Sequence, residues 1–209
     1  MAGSETQAVD IEYFRALVGR EEAARLIRRD RSGPADGPLP AALDLPTFWR
    51  LCAENIQSLD DESHGVAAEP VARGSLSVLF SAAKEADSLG EALERLSATA
   101  RLIRKECQVV VGRNREGVRL TVRPAGPASL RAEIYVECFA VVTHCALRWM
   151  TGRRLDPVVV RGAAALQSMS GTLLGSLNAP LIRRGGGVTI QYGKADAVAP
   201  ILDQKYKVW

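Results

Sequence analysis

The sequence predicts an α+β fold: a mainly antiparallel sheet packed with helices and preceded by N-terminal helices. Three observations carry this. Apolar residues recur at helical spacing in residues 11–29, 45–56 and 89–103. The period drops to two in residues 107–124, where Val118, Leu120 and Val122 alternate with Arg119, Thr121 and Arg123, the pattern of a hairpin with one buried and one wet face. From residue 107 onward the order is strand, strand, helix, strand, helix, strand, strand, which suits helices laid against an antiparallel sheet.

The elements follow in order. Asp10 is placed to cap a helix running to about Arg29, with Ile11, Phe14, Leu17 and Val18 on one face, and residues 1–9 are small, polar and expected to be mobile. RSGPADGPLP, residues 31–40, reads as a linker because it holds two glycines and three prolines. Residues 1–39 are therefore set apart as an N-terminal helix and linker, and residues 40–209 as the main domain. A second helix opens near Asp44 and Leu45, with Pro46 in its first turn. DDESHG, residues 60–65, reads as an acidic turn, and residues 75–86 as a buried helix closed off from it by Gly74. Ser88 and Glu91 form a capping box for the helix that begins at Leu89. A long helix from Ser129 to about Thr151 ends at Gly152. A strand in DPVVVRGA, a short helix over 170–177, and strands at 181–183 and 188–192 complete the chain, the last two joined by a hairpin turn at Gly185, Gly186 and Gly187.

Composition narrows the function. With 209 residues, 47% of them apolar and 24% charged, the chain can bury a core without metals or disulfides. A net charge of +3 is too mild, and the arginines too dispersed, for a surface that grips nucleic acid by its phosphates. Cys52, Cys107, Cys138 and Cys145 form no C-x-x-C pair and no zinc cluster, as expected of free thiols in a reducing compartment. No secretory signal and no bilayer-length apolar run is visible, so the chain is placed in the cytoplasm, away from membranes.

No catalytic residue, metal ligand or cofactor motif stands out. The two histidines, His64 and His144, have no nucleophile signature near them. Asp60, Asp61 and Glu62 lack calcium-loop spacing and read as a solvated turn or helix cap. The three glycines lack phosphate-loop spacing and lead into a strand. The 129–151 helix is the informative element. Projected at 100° per residue, Glu133, Glu137, His144 and Arg148 share one stripe on a helix otherwise apolar all round. The stripe is either the helix's solvent edge or one wall of an effector pocket, in which two carboxylates would favour a cationic or hydrogen-bond-donating ligand such as an amine, amino acid or sugar.

Residues 74–93, GSLSVLFSAAKEADSLGEAL, resemble a signature of the N-terminal, arabinose-binding-like domain of AraC-type transcription regulators, with Gly74, Ser88, Leu89, Gly90, Glu91, Ala92 and Leu93 at the matching positions. The hairpin over 107–124, the long helix ending MTGRRLDP, LNAPL at 177–181 and AVAPI at 197–201 follow in the family's order, although Leu177 stands where the family has phenylalanine. The resemblance implies a bacterial-type one-component regulator whose N-terminal half senses a small molecule or dimerises, and whose C-terminal half binds DNA through helix-turn-helix units. Residues up to Trp209 hold no such units, so DNA is expected as a partner only through a domain outside this chain. The expected function is thus effector sensing without enzymatic activity or cofactor. The alternatives are a ligand-free dimerisation or scaffold module, partnered as a homodimer, and a small enzyme.

Overall fold

The computed structural model describes residues 8–30 and 38–202. The 31–37 part of the Pro/Gly segment, residues 1–7 and residues 203–209 lie outside the described residues.

The chain opens with β1 (Ala8–Asp10), which pairs antiparallel with β2 (Ala42–Asp44) in a small two-stranded sheet. Ala8 and Val9 are therefore strand residues rather than a mobile tail. The helix expected from 11 to 29 is two helices, α1 (Ile11–Val18) and α2 (Arg20–Asp30), because Gly19 between them adopts φ 96°, a left-handed value that no helix can continue through. Asp10 does cap α1: its Oδ1 accepts from the Glu12 N–H at 2.8 Å. Asp44 caps α3 (Leu45–Leu59) in the same way, accepting from the Thr47 N–H.

α4 (Ser75–Lys84) and α5 (Leu89–Ile103) form a packed pair. α4 buries only Leu79 and Ala83 and leaves Val78 half exposed, so it is a surface helix, not the buried one expected. Ser88 Oγ accepts from the Glu91 N–H, as the capping box requires, but Glu91 returns its bond to the Asp87 N–H instead of to Ser88. Gly90 lets the start of α5 lie against the backbone at Ala197: a Cβ there would sit 3.0 Å from the Ala197 carbonyl oxygen.

β3 (Cys107–Asn114) and β4 (Gly117–Pro124) make the hairpin, and the predicted alternation holds, with Val118, Leu120 and Val122 buried. α6 (Leu130–Thr151) starts at its Ser129 cap and stops at Gly152, which takes the left-handed C-cap conformation. β5 (Val159–Gly162), a short 3₁₀ turn at Ala164–Leu166, a second at Leu173–Leu177, β6 (Leu181–Arg183), β7 (Val188–Gly193) and the brief α7 (Lys194–Ala197) follow.

The main sheet has the order β3-β4-β7-β5-β6. All its pairings are antiparallel except β5 with β6. This corrects the hairpin expected around the three glycines: β5 lies between β6 and β7, and Gly185–Gly187 carry the chain across its end. The fold class is α+β, as the alternation of periods predicts. One face of the sheet carries Val109, Leu120, Val160, Ile190 and Tyr192 into the core, where α5 lies on β3 and α6 on β4 and β7. α1 packs on the far side of α6, and Val9, Tyr13, Phe14 and Leu17 join the same core as the sheet. α6 is thus enclosed between the sheet and the N-terminal helices, which is why it is apolar all round.

Candidate functional site

The four striped residues of α6 meet four different surroundings. Glu137 is fully buried. Its Oε1 accepts from Arg183 Nη1 of β6, and its Oε2 accepts from the Tyr13 hydroxyl of α1 at 3.0 Å. Burial pushes the Glu137 carboxyl above its ordinary value, while Arg183 and Tyr13 pull it down in part. Glu133, one turn in from the Ser129 cap, accepts the Gly187 N–H on Oε2 at 2.7 Å. His144 is buried against β7, with Nδ1 3.1 Å from the Tyr192 hydroxyl and the two rings stacked. Burial drives His144 down to about 4. Arg148 is exposed at the surface near the end of the helix. The stripe is therefore neither a solvent edge nor the wall of one pocket. It is a line of buried polar groups, each satisfied by a different element, that ends in an exposed arginine.

The Glu137–Arg183 pair supplies a direct test. Arg183→Met leaves a fully buried carboxylate with only Tyr13, and the cost of stripping one partner from a buried ion pair is about 3–5 kcal/mol. Urea denaturation of the variant checks this, and a loss below about 1 kcal/mol means that the pair is not a structural clamp.

A different face of α6 borders open space. Tyr135, Cys138, Phe139 and Val142 look toward α3, where Trp49, Cys52, Ala53 and Ile56 form one helical face, and Leu76 of α4 closes the side. Between them lies a cavity of about 190 Å³ with an almost wholly apolar lining. Apart from His64, its polar wall is one network. Arg104, buried with its side chain 1% exposed, donates from Nη1 to Glu62 Oε2 at 2.9 Å and from Nε to Glu106 Oε1 at 2.6 Å. Its Nη2 also donates to the Tyr135 hydroxyl, which in turn donates to Glu106 Oε1 at 2.7 Å. Burial disfavours the Arg104 charge, but Tyr135 and Glu106 outweigh it and raise its pKa further.

The acidic turn builds this wall. Asp61 Oδ1 accepts from the Ser63 and Val71 N–H groups and Oδ2 from the Gly65 N–H, each at 2.8 Å, which folds the turn on itself. Glu62 takes the Gly74 and Leu76 N–H groups and so caps α4, whose own N-cap, Gly74, has no side chain to do it. Of the two readings of this turn, helix cap is right for Glu62; neither Asp61 nor Glu62 is solvated. His64 takes a left-handed φ of 57° and accepts from Asn55 Nδ2 on Nδ1 at 2.9 Å. Burial lowers His64 to about 4, so the ring facing the cavity is neutral near pH 7.

Nothing in the local sequence pattern marks Arg104 or Tyr135, and Glu62 stands out only as part of the acidic turn, not as a partner of Arg104. The available signal was Arg104-x-Glu106, two opposite charges bracketing the step from an apolar helix into an apolar strand, where neither can reach water. Among the described residues no group of histidine, cysteine, aspartate or glutamate could hold a metal ion, and no helix is long and apolar enough to cross a membrane.

Residues 22–167 match the family described as the arabinose-binding domain of AraC transcription regulators, N-terminal. The match takes in well over half of the chain and every residue that lines the cavity. The chain belongs to this AraC regulator family. The crystal structure of the transcriptional regulator CdpR from Pseudomonas aeruginosa has a similar fold, with a TM-score of 0.50 at 18% identity over 92% of this chain. This AraC-family chain spans 57% of that regulator's length. Comparison with curated proteins gives no match.

Proposed function

We propose that this AraC-family chain is an effector-sensing domain, and that its effector occupies the cavity between α3, α4 and α6. The observation that carries the reading is the cavity itself: an apolar chamber with its few polar groups gathered on one wall, the usual make-up of a small-molecule site. Its size and lining suit a compact, mainly apolar molecule with one hydrogen-bonding group directed at Tyr135 and Arg104. That ligand is smaller and less polar than the amines, amino acids or sugars that the helix stripe suggested. Glu133, Glu137, His144 and Arg148 would then act behind the site, holding α6 against the sheet. The effector would act by shifting α6, which carries cavity residues on one side and the Arg183 and Gly187 contacts on the other. A DNA-binding domain outside this chain would receive that shift. The free thiols Cys52, Cys107, Cys138 and Cys145 are in keeping with work in the cytoplasm.

A thermal-shift screen with indole, p-cresol and hexanoate tests the reading. A probe at a hundred times its dissociation constant stabilises the domain by about 2.7 kcal/mol. Val142→Phe fills the chamber from α6, and binding should fall at least tenfold with the fold retained. If none of the probes stabilises the domain, or Val142→Phe leaves their effect intact, a ligand-free dimerisation module becomes the better reading.

A further inference from the structure

A second cleft, of about 470 Å³, lies at the end of the sheet beside Gly185–Gly187, away from the α3–α6 cavity. We propose that it binds a small multivalent anion bearing carboxylate or phosphate groups. Arg123 of β4, Arg161 of β5 and Arg184 just after β6 line it, all three exposed. Most arginines near a carboxylate in this chain are paired with it, as in Arg95–Glu91, Arg113–Glu94 and Arg153–Asp196. These three have no such partner among the described residues. The sheet register explains why they gather. Arg161 stands opposite Thr189, Thr189 opposite Thr121, and Arg123 lies two residues beyond Thr121 on the same face. Two strand spacings and two residues of rise put the Cα atoms of Arg123 and Arg161 roughly 12 Å apart, within the joint reach of two arginine side chains. The outward residues of β4, β5 and β7 around them include no aspartate or glutamate.

The glycine segment is a fixed wall of this cleft. Gly187 adopts φ +74°, and a Cβ there would lie 2.5 Å from the Val122 carbonyl oxygen; one on Gly186 would lie 2.9 Å from Glu133 Oε1. The Gly187 N–H donates to Glu133, and the Gly185 carbonyl accepts from the Ala164 N–H at 2.9 Å. The Gly185 and Gly186 N–H groups take no acceptor among the described residues and are further donors for an anion. Glu133 is the one carboxylate in the lining, and one of its oxygens is already engaged. Three guanidiniums against one carboxylate leave the cleft with an excess of positive charge, which a bidentate carboxylate or phosphate answers best.

Calorimetric titration of the chain with citrate, and separately with pyrophosphate, tests this against sodium chloride at matched ionic strength. We expect saturable binding of at least one, with a dissociation constant of about 1 mM or below. Binding should weaken at least tenfold in Arg161→Gln/Arg184→Gln, whose thermal midpoint without ligand stays that of the parent because both side chains are exposed. Citrate alone binding points to a polycarboxylate, and pyrophosphate alone to a phosphorylated ligand; either supports the site. Heats no larger than with chloride, or equal affinity in the double variant, overturn it. So does binding of duplex DNA that the double variant loses while both small anions give nothing.

Discussion

Arg104→Met should leave the domain unfolded or barely folded. One buried guanidinium joins Glu62, Glu106 and Tyr135, and its removal strands two carboxylates in the protein interior. Stripping one partner from a single buried pair costs about 3–5 kcal/mol, and here two pairs share the lost cation, so the expected loss is about 5 kcal/mol or more. Domains of this size are stable by only about 5–15 kcal/mol in total. Glu62 keeps its two backbone donors from Gly74 and Leu76, whereas Glu106 keeps little beyond Tyr135 and the Cys107 thiol. Adding Glu106→Gln to Arg104→Met should therefore restore part of the stability. Denaturant midpoints for the two single variants and the double variant measure the coupling. A loss below about 1 kcal/mol for Arg104→Met, or no recovery in the double variant, would contradict the network.

The second large effect is acid lability. His64 and His144 are both driven to about 4 by burial, against about 6.5 in an unfolded chain. For a base with a depressed folded value, the unfolded state takes up protons first as the pH drops. The stability from burying the neutral rings is complete above about pH 6.5 and is lost as the pH falls from 6.5 to 4. At about 1.4 kcal/mol per unit, each histidine contributes roughly 3 kcal/mol to that loss, and the two together about 6. Neighbouring charges do not reverse the sign: Asp61 favours charged His64, but Arg131 and Arg104 oppose it, and Arg148 and Asp156 bear on His144 in opposite senses. Glu137, with its carboxyl raised by burial, gains stability as the pH falls and blunts the slope. Unfolding free energies between pH 7 and pH 4 should show the decline, and His64→Gln or His144→Gln should each make it shallower. A flat profile would mean that the histidines reach solvent.

The parts of the fold set by local chemistry were legible in the sequence. Ser129 and Gly152 bound α6 because a cap oxygen and a left-handed glycine act on adjacent backbone. The β3–β4 hairpin showed itself by its alternation. Long-range pairing was not legible. Strands 181–183 and 188–192 look like a hairpin because they are close in sequence, yet β5 inserts between them through a parallel pairing that no turn residue encodes. The α6 stripe was visible, but its partners were not: Arg183 and Tyr13 stand 46 and 124 residues from Glu137. The cavity hid for a related reason. Trp49, Cys52, Ala53 and Ile56 at helical spacing are indistinguishable from an ordinary core face until the facing residues of α6 fail to fill the gap.

Methyl chemical-shift mapping of the domain with indole, p-cresol or hexanoate, whichever binds best in the thermal screen, locates the effector site most directly. If the chamber between α3, α4 and α6 is the sensor, the methyl groups of Ile56, Leu76 and Val142 should shift most and saturate together. Shifts confined to the outer sheet face, or no saturable shift at those three residues, would contradict it.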